Sequence, residues 1–170
     1  RSSDLGAEAH RREDVDAFLG AAHDAARELA GRDVDVFAPV PALLARRAGY
    51  ERGQVVVLNF WYTTCGPCIA EIPLLNELVA AYSGKNVVFL AAAWNSQEQL
   101  AKFFQKYPFR YRQAASIDPT RIFNPMPGWP IHIVFDGNGI IRFAVLGKQP
   151  GIEQKIAKVI DASLNDSKLP

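Results

Sequence analysis

The stretch Asn59–Pro73, NFWYTTCGPCIAEIP, contains both cysteines of the chain, Cys65 and Cys68, with only Gly66 and Pro67 between them. Ahead of it runs VVVL (Val55–Leu58), a β-branched apolar run of the kind that forms a strand buried on both faces. Behind it, IAEIPLLNELVAAYSG sets Ile72, Leu75, Leu78, Val79 and Tyr82 at helical spacing and stops at Gly84. Pro73 falls inside that pattern, which continues past it, so a kink is expected there rather than an end. The two thiols therefore sit where a strand gives way to a helix.

That position suits one kind of chemistry. A thiol attacks a disulfide only as the thiolate, and an ordinary Cys, with a pKa of about 8.5, is mostly protonated at neutral pH. The unpaired N–H groups and dipole at a helix start favour negative charge there. Cys65, at the boundary, is thus expected to be the more exposed and more acidic thiol, and the one that attacks. Cys68 lies one turn on, within reach of the mixed disulfide that Cys65 would form with a partner, and is expected to resolve it. Pro67 fits the first helical turn, where its missing N–H is not needed. Gly66 lets another chain approach the sulfur closely.

The structural uses of two cysteines fit less well. A structural zinc site asks for about four Cys or His ligands, and His10, His23 and His132 are scattered far from the pair. A disulfide closing so short a loop removes little chain entropy and would be a weak staple. Neither a metal nor a cofactor is expected. The 170 residues, 49% hydrophobic and 22% charged, are enough for one well-buried core. A net charge of +1 gives no reason to expect nucleic acid as a partner. No apolar run approaches the roughly 20 residues of a membrane helix. The opening RSSDLGAEAHRRED has neither a Met nor an apolar core and does not read as an intact secretory signal.

Composition changes near residue 50: residues 1–52 carry no Lys, and Lys, Asn and Gln become common from Lys85 onward. Val15, Phe18, Leu19, Ala22, Ala26 and Leu29 share a helical face between a cap near Asp14 and Gly31. ALLARRAG reads as a short helix, with Arg46 and Arg47 on a solvated face. Residues 1–50 are taken as a helical N-terminal extension and 51–170 as the main domain. Within the latter, NVVFLAAAW reads as a second buried strand. SQEQLAKFFQKY reads as a helix capped by Ser96, with Leu100, Phe103 and Phe104 on one face. RYRQAAS gives a short strand, followed by a turn at IDPT. IHIVFD and IIRFAVLG around GNG give a hairpin, and IEQKIAKVIDASL a closing amphipathic helix. The order β-α-β-α-β, hairpin, α predicts an α/β fold, a mixed central sheet flanked by helices.

With these elements placed, the motif resembles the thioredoxin superfamily and, more narrowly, the TlpA/ResA-type extracytoplasmic thiol–disulfide oxidoreductases. Those carry Asn-Phe-Trp before the cysteines and Glu-x-Pro after them, here Asn59, Phe60, Trp61, Glu71 and Pro73. GWPIHIVFDGNGII is similar to the family's cis-proline loop, strand and turn, which implies that Pro130 is a cis-proline facing the cysteines. A helix–strand insertion, here about Ser96 to Pro125, also matches. The resemblance covers Gln54 to about Leu164. Three positions depart from it. Thr64 stands where the family has Trp, Trp129 where a smaller residue precedes the proline, and Asn59 where ordinary thioredoxins keep a buried Asp.

The resemblance implies a thioredoxin fold and disulfide exchange with protein partners. Cys65, Cys68 and Glu71 are then the catalytic group, with Glu71 as proton acceptor for Cys68 against the plainer reading of a solvated carboxylate. Thr64, Gly66, Pro67, Trp129 and Pro130 form the substrate-facing surface. Trp61, Phe103, Phe104 and Phe109 are read as packing, and His132 as structural. CGPC is the motif of reducing thioredoxins, whose potential is about −270 mV, which suggests a reductant. The resemblance further implies an extracytoplasmic, periplasmic or cell-envelope location with the signal or anchor absent from this chain. It also implies an upstream membrane or soluble reductant, and a monomer. Two other readings are a binding module with vestigial cysteines, which the intact motif argues against, and a thiol peroxidase, whose reactive Cys usually follows a Pro and a Thr.

Overall fold

The computed structural model describes residues 53–118 and 128–166. The expected N-terminal extension, with Arg46 and Arg47, lies outside the described residues, as do Pro119 and Thr120 of the expected turn and the insertion beyond Asp118. The described elements are β1 (Val55–Trp61), α1 (Gly66–Ala81), β2 (Val87–Ala93), α2 (Gln97–Phe104), β3 (Arg112–Ala114), β4 (Ile131–Phe135), β5 (Ile141–Leu146) and α3 (Ile152–Asp166). They follow the order read from the sequence, and the sheet runs β3-β2-β1-β4-β5. β1 pairs parallel with β2 and antiparallel with β4, so the sheet is mixed as expected.

β1 is the central strand, and every residue in it is buried. That explains its unbroken apolar run: a strand covered on both faces has no solvent side to leave polar. Side chains alternate across the sheet, so Val55, Val57, Asn59 and Trp61 share one face. On that face Val55, Val57 and Trp61 join Ile72, Leu75 and Leu78 of α1 and Ile152, Ile156 and Ile160 of α3 in the main core. Trp61 is wholly buried, and its ring meets those of Phe103 and Phe109 edge-on at 5.2 and 5.3 Å. Its Nε1–H donates to Gln113 Oε1 at 3.2 Å, which ties the end of β1 to the inserted β3. Trp61 and the three phenylalanines are thus packing residues, as read.

Local chemistry sets the ends. Ser96 caps α2 through a complete capping box with Gln99. The β4–β5 turn is held by Asp136, whose Oδ1 accepts from the amides of Asn138 and Ile140 and whose Oδ2 accepts from Arg142 Nε at 2.6 Å. α1 runs through Pro73 without stopping, as its apolar pattern indicated.

Tyr82, at the C-cap of α1, ties that helix to α3. Its hydroxyl donates toward Asp161 Oδ1 at 2.8 Å and the Ala157 carbonyl at 3.0 Å. Burial, then the bond to and charge of Asp161, raise its pKa from 10.0 to about 12. Because the folded value lies above the unfolded one, the associated stability is complete below the unfolded pKa and is lost as pH rises from 10.0 toward about 12. Thermal unfolding of Tyr82→Phe should therefore show a shallower loss of stability across that alkaline window than the parent chain. An identical slope in both would mean that Tyr82 contributes nothing to the alkaline loss.

Candidate active site

Cys65 is the N-cap of α1, in extended backbone geometry with φ −79° and ψ 99°. Its Sγ accepts a hydrogen bond from the Cys68 amide at 3.3 Å, the place an oxygen occupies in an ordinary Ser or Asp cap. Cys65 and Cys68 are joined as a disulfide, with their Cα atoms 5.3 Å apart. Pro67 falls in the first turn, where no partner for its missing N–H is required. Thr64, Gly66 and Pro67 are exposed around the sulfurs. A Cβ on Gly66 would meet nothing within 4 Å, so the space above it is open.

The expectation that Cys65 is the more exposed thiol does not hold in the disulfide form, since Cys65 is 3% exposed and Cys68 4%. The capping role turns the Cys65 side chain back onto the helix end, and this withdraws its sulfur from solvent.

One turn after Cys68, Glu71 is 2% exposed, which excludes the solvated-carboxylate reading. Its Oε2 lies 2.9 Å from His132 Nε2, and the His132 ring is itself wholly buried. On the other side of that ring, Nδ1 lies 3.2 Å from Asn59 Nδ2. The sheet register explains the meeting: Asn59 and His132 are direct partners across β1 and β4, beside the pair Val57 and Val134. Val57 and Val134 belong to the same core as α1, so the polar pair faces that helix as well. His132, read from the sequence as structural, is in direct contact with a proposed site residue. Its position two residues after Pro130 on a β-branched strand gave no sign of the carboxylate on another element. Nearby, Tyr111 is buried with its hydroxyl unpartnered, and burial together with the charge of Glu71 drives its ionisation well above the ordinary tyrosine range.

The Trp129–Pro130 peptide is cis, and Pro130 is buried. The Trp129 ring lies between two others. It meets Tyr62 edge-on at 5.0 Å and stacks on Trp94 at 6.0 Å. Tyr62 also accepts the Cys65 amide on its carbonyl at 3.1 Å, so this aromatic group adjoins the motif. Tyr62, Trp94, Asn95, Gln99 and Trp129 line an open groove of about 460 Å³ without a charged side chain. Asn95 holds the loop before the cysteines, its Oδ1 accepting from the Thr63 amide at 2.7 Å. Trp94 and Asn95 escaped the sequence reading, because Trp94 looked like the end of a buried strand, yet it is 53% exposed. Among the described residues there is no group of three or more His, Cys, Asp or Glu placed to hold a metal ion. No helix among them is long and apolar enough to cross a membrane.

Such an arrangement can break and form a disulfide at the rim of a buried core, with a carboxylate and an imidazole beneath it to hold a proton. Residues 45–144 match the model of the AhpC/TSA family, more than half of the chain, and the chain belongs to that family. It is 31% identical over 103 residues to the thiol-disulfide oxidoreductase ResA of Bacillus cereus, covering 58% of each protein. It is 30% identical over 113 residues to the thioredoxin-like protein YneN of Bacillus subtilis, covering 62% of this chain and 65% of that one. Less than two thirds of these curated relatives' length is therefore spanned. Among solved structures, a putative thiol:disulfide interchange protein DsbE from Chlorobium tepidum superposes with a TM-score of 0.58 at 28% identity, covering 66% of this chain and 82% of that one. The thioredoxin-like fold expected from the motif is the fold observed.

Proposed function

We propose that this member of the AhpC/TSA family is a thiol–disulfide oxidoreductase that exchanges disulfides with partner proteins, as a reductant outside the cytoplasm. The observation that carries the reading is the Cys65–Cys68 disulfide at the N-cap of α1, ringed by exposed Thr64, Gly66 and Pro67. The names of the relatives support the reaction class, and the CGPC motif supports the reducing direction. An upstream membrane or soluble reductant would return the pair to its dithiol form.

In this mechanism the Cys65 thiolate attacks a partner disulfide, favoured by the helix N-terminus and the Cys68 amide. Cys68 then loses its proton to Glu71 and attacks Cys65 Sγ, which releases the partner as a thiolate. An extended partner segment is recognised through backbone pairing beside Pro130. Trp129, held between Tyr62 and Trp94, forms the apolar wall that selects among partners.

Insulin-disulfide reduction, measured beside peroxide consumption, tests the reaction. The parent chain should reduce insulin, Cys65→Ser should abolish the activity, and Cys68→Ser should accumulate mixed disulfides. Peroxide consumption without insulin reduction would mean a thiol peroxidase, and neither activity would mean a binding module. Glu71→Gln should slow the resolving step by about a hundredfold, the low end for a positioned base, and alter its pH dependence with little effect on partner affinity. An unchanged pH–rate profile would remove Glu71 from the chemistry. Trp129→Thr should broaden the range of disulfides reduced while the redox potential stays nearly constant. An unchanged range would make Trp129 a packing residue only.

A further inference from the structure

We propose that Asn59 and His132 act as positioning residues for Glu71, holding its carboxylate ionised and turned so that only Oε1 is open to the Cys68 thiol. This rests on the reading of Glu71 as proton acceptor and concerns what prepares it. The Asn59 amide fixes the proton of the imidazole. Its Nδ2 lies 3.4 Å from the Ile131 carbonyl oxygen and 3.2 Å from His132 Nδ1. Turning the amide over would set Oδ1 against that carbonyl oxygen, a contact between two acceptors. With Nδ2 as donor, Nδ1 of His132 must offer a lone pair, so the ring is neutral and carries its proton on Nε2. That proton is donated to Glu71 Oε2 at 2.9 Å. An imidazolium would direct a second N–H at the amide donor, so this packing disfavours it.

The chain of bonds leaves one acceptor unused. Glu71 Oε1 is buried and has no hydrogen-bond partner, although a buried charge ordinarily gathers as many donors as it can. Cys68 precedes Glu71 by three residues on α1, and both are buried, so the two side chains share a helix face. The other titratable groups facing the carboxylate are His132 from β4 and Tyr111 from the segment entering β3. Tyr111 is kept protonated by burial and by the charge of Glu71, and its hydroxyl has no hydrogen-bond partner, so it does not compete with Glu71 for the Cys68 proton. α3, packed along α1, brings Ile152, Ile156 and Ile160 to this core, and its Asp161 is engaged by Tyr82.

Cys68 Sγ–H gives its proton to Glu71 Oε1, and the resulting thiolate forms a bond to Cys65 Sγ. The bond between Cys65 Sγ and the partner sulfur breaks, and the partner leaves as a thiolate that takes a proton from solvent. The two cysteines are oxidised by two electrons in all, and the partner disulfide is reduced by the same two. Before the transfer the Glu71–His132 pair carries a single negative charge, and afterwards none. An imidazolium in place of the neutral ring would already cancel that charge and leave the carboxylate a poor acceptor.

Two measurements on the chain test the assignment. Nitrogen NMR of His132 in the oxidised protein at neutral pH should show the neutral Nε2–H tautomer. An imidazolium or an Nδ1–H tautomer would overturn the proposal without any variant needing to fold. In rapid-mixing kinetics with insulin, His132→Phe should slow the resolving step about tenfold, a fraction of what the base itself contributes, and move its rise to higher pH. The initial attack by Cys65 should be unaffected, and His132→Gln, which keeps an N–H donor, should recover most of the rate. In a Glu71→Gln background His132→Phe should cause no further slowing, because the two act as a unit. Parental resolving kinetics in His132→Phe, or a full additional loss in the double variant, would overturn the role of His132 while leaving Glu71 in place. Parental kinetics in Glu71→Gln alone would instead end the proton-acceptor reading, and the positioning role with it.

Discussion

The hydrogen bond from the Cys68 amide to Cys65 Sγ makes a cysteine sulfur do the work usually given to a hydroxyl or carboxylate at a helix N-cap. Its consequences run through the whole site. The first sulfur is placed at the start of α1, where unpaired N–H groups favour a negative charge. The second is placed one turn inside, and Glu71 one turn beyond that, so the carboxylate is carried under the motif rather than out to solvent. Both cysteines are 3 to 4% exposed in the disulfide form. Cys65 Sγ accepts an amide hydrogen bond, whereas Cys68 lies one turn before a buried carboxylate on the same helix, and the proposed division of labour rests on this contrast.

Burying Glu71 is costly, because an unpaired carboxylate in a low-dielectric core is destabilising by several kcal/mol, of order 3–5 when one partner of a buried pair is removed. The sheet supplies the partner. β1 and β4 run antiparallel in a register that sets Asn59 opposite His132, and each would be a poor choice for a central strand on its own. Together they form one polar strip in an otherwise apolar face. With an amide at Asn59, the buried carboxylate of this strip is Glu71 on α1. The imidazole of His132 spans the gap between Asn59 on β1 and Glu71 on α1.

Much of this architecture was legible in the chain. Val55–Trp61 could only be a doubly buried strand, Ser96 as N-cap marked α2, and Asp136 with GNG marked the hairpin. Those signals are local, and local spacing carries them. What escaped depends on which residues meet across the sheet. His132 looked structural because it lies in an apolar strand two residues past Pro130, and only the β1–β4 register brings Glu71 to it. The burial of Cys65 followed from the direction its side chain takes as a cap, which the letters CGPC do not encode. Trp94 ended an apparently buried run, yet it turns outward to stack on Trp129, because the strand stops one residue earlier at Ala93.

Whether Cys65 and Cys68 divide the labour of exchange is read most directly by site-resolved alkylation of the reduced chain. Mass spectrometry of the two labelled cysteines, followed across pH, separates their reactivities without any partner protein. Cys65 should be modified faster at mildly acidic pH, and Cys68 should become reactive only at distinctly higher pH. Equal rates for the two thiols across the acidic range would contradict it, because the N-cap and the buried carboxylate would then make no difference between them.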